Sequence, residues 1–134
     1  MIRNAQEFVE LRTSEKPEEY LRAANEAAEI SVWLEVINTY PEMKKWVAHN
    51  KTVPVEVLQK LARDPDPNVR AVVAAKNKLT PDLIELLRED SDPAVKHRIA
   101  YNKNADIETL RMLVNDAETS VSEAAQAQLF VRGQ

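Results

Sequence analysis

The sequence predicts an all-α, right-handed α-solenoid made of two-helix units of 26 residues, with a helical cap at its N-terminal end. Three observations carry this expectation. Apolar residues recur at a step of 26: Val47-Ala48, Val73-Ala74 and Ile99-Ala100, then Leu58, Ile84 and Leu110, then Leu61, Leu87 and Leu113, then Val69, Val95 and Val121. Acidic residues keep the same step in Asp64, Asp90 and Asp116, and again in Asp66, Asp92 and Glu118. A period shared by apolar and acidic columns without an insertion marks a repeat architecture. Within each unit the apolar residues follow helical spacing in two short stretches, so each stretch buries one stripe. Finally, 134 residues with 44% hydrophobic and 30% charged composition suit one soluble domain with its own core.

The whole chain, residues 1–134, is expected to be that single domain, with a cap over 1–28, a degenerate unit over 29–50 and the repeats over 51–130. In the cap, Asn4 to Leu11 and Pro17 to Glu26 read as helices, the second opened by Ser14 or Glu15 together with Pro17. In the degenerate unit, Val32, Trp33, Leu34 and Ile37 supply one helix, and Met43-Lys44-Lys45-Trp46 stands 26 residues before Val69-Arg70-Ala71-Val72. Phe8, Tyr20, Trp33, Tyr40 and Trp46, five of the seven aromatic residues, fall in this first third. Terminal units of a stacked array must cover an open apolar end, so these rings are expected to form the core of the cap.

In the first clear unit, Pro54 to Arg63 aligns Val57, Leu58 and Leu61, and Pro67 to Ala75 aligns Val69, Val72 and Val73. Asp66 suits an N-cap and Pro67 the first helical turn, where a missing N–H costs nothing. Asp92-Pro93 and Thr80-Pro81 repeat the device. Helices this short are marginal alone and gain their stability from their neighbours. The only glycine is Gly133, so the left-handed residue that often closes a helix falls to asparagine: Asn50, Asn77, Asn102 and Asn104. The lysines beside them, Lys51, Lys76, Lys78 and Lys103, suit the negative end of a helix dipole.

The stretch VAHNKTVPVEVLQKLARDPDPNVRAVVA, Val47 to Ala74, resembles the leucine-rich repeat variant, a HEAT-like α-solenoid unit with the pattern VAxN, a Pro-opened helix with spaced leucines, then LAxDPxxxVR. The resemblance covers about residues 46–126. The second unit departs from it at Lys76, where Asn is expected, and at Ser91, where the first unit has Pro65; the third replaces the proline turn by Asp116-Ala117-Glu118-Thr119. The resemblance implies a scaffold and no particular activity. An iron–sulfur site reported for the class has no cysteine here to hold it.

Composition removes further functions. Without cysteine there is no disulfide framework, thiolate metal site or cysteine nucleophile. With one glycine there is no Gly-rich phosphate loop and no nucleophile elbow. His49 and His97 stand 48 residues apart, without a second histidine at helical spacing. The paired carboxylates sit in the repeat columns, where they suit architecture rather than an asymmetric catalytic dyad. Ser14, Ser31, Ser91, Ser120 and Ser122 lie mostly at helix starts, where capping explains them. No enzyme, metal or cofactor is expected. A net charge of −4 opposes general attraction to a phosphate backbone or an anionic membrane. The opening MIRNAQEFVE lacks the apolar run of a secretory signal, so a cytoplasmic location is expected.

Two functions are compatible with this frame. The preferred one is a protein–protein interaction scaffold or adaptor, since stacked short helices present a surface to another polypeptide. The alternative is a nucleic-acid-binding HEAT-like module, as in solenoids such as the alkyl-base DNA glycosylases. The candidate contact surface is a basic ridge: Lys44, Arg70 and Lys96 at the step of 26, with His97 in the adjacent column and Tyr101 four residues beyond. A structural role competes with it, in which Arg70 pairs with Asp64 and Lys96 with Asp90 as a ladder between units.

Overall fold

A computed structural model describes all 134 residues and is all-helical. Ten α-helices follow one another: α1 (Ala5–Thr13), α2 (Pro17–Asn25), α3 (Ile30–Thr39), α4 (Lys44–His49), α5 (Val55–Leu61), α6 (Pro67–Ala74), α7 (Pro81–Leu87), α8 (Pro93–Tyr101), α9 (Ile107–Val114) and α10 (Thr119–Val131). A 3₁₀ turn over Pro41–Met43 leads into α4. There is no strand, only an isolated bridge between Ile2 and Ala28. No helix is long and apolar enough to cross a membrane. The chain divides into two compact parts, Met1–Leu61 and Ala62–Gln134.

In Met1–Leu61 only two of the five aromatic residues expected in the core, Phe8 and Trp33, are buried there; Tyr40 and Trp46 are half-buried and Tyr20 is exposed. Phe8 and Trp33 are fully buried and meet edge to face, with ring centroids 5.2 Å apart and planes at 83°. That geometry sets the positive ring edge against a negative face. Helix α1 packs on α2 and α3, and α3 on α4. Asn4 caps α1, its side chain accepting from the Glu7 amide at 2.8 Å. The start of α2 differs from expectation. Its N-cap is Lys16 and makes no side-chain bond. Pro17 holds the residue before it extended and offers no amide of its own. Ser14 instead closes the α1–α2 turn, accepting from the Lys16 amide at 3.1 Å and donating to Glu19 at 2.8 Å.

In Ala62–Gln134, α8 packs against both α6 and α10, and α10 also against α9. The repeat columns become the core: Val69, Val95 and Val121 are buried, as are Ile84 with Leu110 and Leu87 with Leu113. Asp66 and Asp92 cap α6 and α8 by accepting from the amides two residues on, each at 2.8 Å. Thr80 and Asp106 cap α7 and α9. Ala74 and Ala100 are fully buried on α6 and α8. Replacing Ala74 by Leu is expected to overpack this contact and lower stability by about 2 kcal/mol. Chemical denaturation reads this directly, and an unchanged midpoint would contradict the packing.

Helix ends overturn one expectation. No asparagine adopts a left-handed conformation; Gly133 alone has positive φ, at 76°. Its amide and that of Gln134 return to the carbonyls of Phe130 and Leu129, closing α10. The chain leaves α4 and α8 in extended backbone instead, with φ of −60° at Asn50 and −73° at Asn102. An extended exit needs no left-handed residue, and it turns both asparagine side chains inward.

Candidate functional site

Asn50 is fully buried and Asn102 nearly so. The Asn50 amide donates to the carbonyls of Ala23 at 2.8 Å and Glu26 at 3.0 Å, while its oxygen accepts from the Thr52 amide at 2.8 Å. Asn102 repeats the pattern two periods later: it donates to Ala74 at 2.8 Å and Lys76 at 2.9 Å and accepts from the Asn104 amide at 2.8 Å. Each asparagine thus ties the turn after one helix to the turn 24 to 28 residues before it. Lys76 stands between them in the same column, and burial, helped by nearby Lys78, pushes its ammonium pKa down. Arg132 continues the device, donating to the carbonyls of Asn102 and Ala105.

The acidic columns form a second framework. Asp64, Asp90 and Asp116 each accept from the amide two residues on, at 3.0, 2.9 and 2.9 Å, which folds the turn before the next helix. Arg70 and Lys96 of the expected basic ridge attach to these aspartates, although not to the partners that spacing suggests. The Arg70 fork grips Asp90 at 2.8 and 3.0 Å and reaches Asp64 and Pro65 only through their carbonyls, at 2.8 and 3.1 Å. Lys96 meets Asp116 at 2.6 Å rather than Asp90. The correction has a simple cause. Helix packing brings the aspartate 20 positions ahead against each cation, whereas the residue six positions earlier meets the Arg70 guanidinium through its carbonyl.

These contacts leave little of either cation in water, with side-chain exposures of 15% for Arg70 and 16% for Lys96. The hydrogen bonds that Arg70 donates to the Asp90 carboxylate push the Arg70 pKa up. Desolvation opposes ionisation of Asp116, but the hydrogen bonds from Lys96 and the Glu118 amide hold its pKa below the usual carboxylate range. Lys44 lies half-buried at the start of α4, in Met1–Leu61. His97 and Tyr101 come together on α8, their rings 5.0 Å apart and tilted by 48°, with Tyr101 52% exposed.

Tyr101 also borders a groove of about 320 Å³ lined by Ala75, Asn77, Arg98, Asn102 and Lys103. Arg98 and Lys103 are exposed and take part in no ion pair. Spacing alone did not single out Arg98. Its signal was a break in a column, since it occupies the place held by Trp46 and Val72 in earlier units. A second concavity, of about 210 Å³, lies in Met1–Leu61 between Arg12, Tyr20, Leu21, Ala23, Ala24, Trp46 and His49. The two hollows are lined by corresponding residues: Ala23 and Ala75, Trp46 and Arg98, His49 and Tyr101 each stand two repeat periods apart. No three His, Asp or Glu side chains converge as a metal site would require. Compared with protein-family models, with curated proteins and with solved structures, the chain has no match.

Proposed function

We propose that the chain is an α-solenoid of HEAT-like repeats of the leucine-rich repeat variant type, and that it serves in the cytoplasm as a non-enzymatic scaffold holding another polypeptide. Contacts that recur with the sequence period support the repeat reading. The Arg70–Asp90 and Lys96–Asp116 pairs lie one period apart, and the Asn50 and Asn102 clamps lie two. The buried Asn50, Asp64 and Asn102 side chains serve the chain's own turns, which fits a scaffold better than a reaction centre.

One observation carries the functional reading: Tyr101, half exposed and tilted against the His97 ring, borders a groove lined by two cations without ion-pair partners, Arg98 and Lys103. Tyr and Arg are the residue types enriched at binding hot spots. Their combination fits an acidic segment of a partner that also offers apolar surface. Within the basic ridge, His97 and Tyr101 belong to this contact surface, whereas Arg70 and Lys96 hold the turns. The test uses the intact chain and a variant carrying Arg98→Ser, Tyr101→Ser and Lys103→Ser as baits in an extract of the native cell. The intact chain is expected to retain a polypeptide that salt releases and that the variant, with an unchanged melting temperature, fails to hold. Equal retention by the variant would refute the surface. Submicromolar binding of duplex DNA at physiological salt would put the nucleic-acid-binding module in its place.

A further inference from the structure

We infer that the hollow around Trp46 is a second contact site, which receives one apolar side chain of an acidic polypeptide segment and pairs the carboxylate beside it with Arg12. Its volume of about 210 Å³ is smaller than the sites that hold drug-sized ligands and suits a single side chain. Two large apolar side chains of α2 stand open beside it, Tyr20 at 37% and Leu21 at 52% exposure. On its other side the Arg12 guanidinium lies over the Trp46 ring, 3.5 Å from the centroid, and the Lys45 ammonium is 5.3 Å from it. Neither cation takes part in an ion pair, and the Arg12 Nε is buried with no hydrogen-bond partner.

Packing by itself explains why Arg12 covers the indole, since a guanidinium stacks well on an aromatic face. It does not explain an unsatisfied donor beside an open apolar wall. Elsewhere in the chain the half-buried Arg70 and Lys96 are matched with aspartates, and Arg88, whose Nε is likewise buried without a partner, donates from Nη1 to Thr109. Charge complementarity therefore selects an anion as the missing partner, and the Tyr20–Leu21 wall selects one carried beside an apolar group. A nucleic acid fits less well. Arg12 already covers a face of Trp46, which removes the platform on which a base would stack.

The test follows the indole N–H signals in nitrogen-15 spectra of the full chain, with Trp46→Phe assigning the two. Trp33, fully buried, serves as the internal control. The probe is an acetylated and amidated peptide of sequence Asp-Glu-Leu-Phe-Asp, compared with its neutral analogue Asn-Gln-Leu-Phe-Asn. The acidic peptide is expected to shift the Trp46 signal saturably, with a Kd below about 1 mM, and to leave Trp33 in place. The neutral peptide should bind at least about fivefold more weakly, and Arg12→Gln should weaken the acidic one about tenfold. Should Arg12→Gln fail to fold, Lys45→Gln and the two peptides on the unaltered chain decide. No shift at several millimolar, equal shifts by the two peptides, or tighter binding of a ten-nucleotide oligothymidylate would overturn the inference. The readout is confined to Trp46, so its failure is distinguishable from failure of the Tyr101 surface.

Discussion

Replacing Asn102 by Ala is expected to lower folding stability by about 3 kcal/mol, which for a chain of this length is a fall of roughly 10 °C in melting temperature. The side chain donates to two carbonyls and accepts from the Asn104 amide, all within 2.9 Å, and is 6% exposed. Alanine leaves those three backbone groups without their partner where water has little access, and each such group costs about 1–3 kcal/mol before relaxation recovers part of it. Asn102→Asp is a sharper probe, because it keeps the shape and points a second oxygen at the Ala74 and Lys76 carbonyls. Its carboxyl pKa is then raised in the folded state. Stability is retained below the unfolded carboxyl value of about 3.9, where the protonated group donates, and is lost as pH rises through the folded value. Urea denaturation between pH 3 and pH 7, against the unaltered chain, measures both effects. A loss under about 1 kcal/mol for the alanine variant would mean that water replaces the amide.

Arg70→Ser is expected to cost about 3 kcal/mol, because it strands the Asp90 carboxylate and strips the Asp64 and Pro65 carbonyls of a donor in one step. Arg70→Lys should recover less than half of the loss. A lysine keeps the charge but lacks the planar fork that bridges a carboxylate and two carbonyls together. Lys96→Ser should cost less, since Lys96 reaches Asp116 through a single bond. A double-mutant cycle of Arg70→Ser with Asp90→Asn isolates the pair, and a coupling above about 1 kcal/mol is expected. Zero coupling, or coupling of Arg70 to the Asp64 carboxylate instead, would contradict the observed pairing.

Legibility in the sequence followed the range of the interaction. The capping of α6 and α8 by Asp66 and Asp92 was readable because an N-cap acts two or three residues away and Pro at the next position marks the same boundary. The buried columns were readable because helical spacing and the period of 26 impose one pattern on every unit. At the start of α2 this failed, since Ser14 reaches the helix through Glu19 rather than by capping it. The sequence marks Asn50 and Asn102 as turn residues, but their backbone is extended rather than left-handed. Nothing in their neighbours announces whether the chain leaves a helix in left-handed or extended backbone. Arg98, outside the expected ridge, could have been noticed only as the residue that interrupts an apolar column.

The sequence by itself determined that this chain is helical, where most of its helices begin, and which columns are buried. These properties depend on residues within a turn of one another and on a stripe that must leave water. Tertiary structure alone decided what the long polar side chains hold. Arg70 takes a carboxylate 20 positions ahead, and Asn102 takes carbonyls 26 and 28 positions behind. A side chain satisfies its donors with whichever acceptors the packed backbone brings within about 3 Å, and that proximity exists only after the helices have packed. The hollows beside Trp46 and Tyr101 have the same origin, since each is the space that neighbouring elements leave between them.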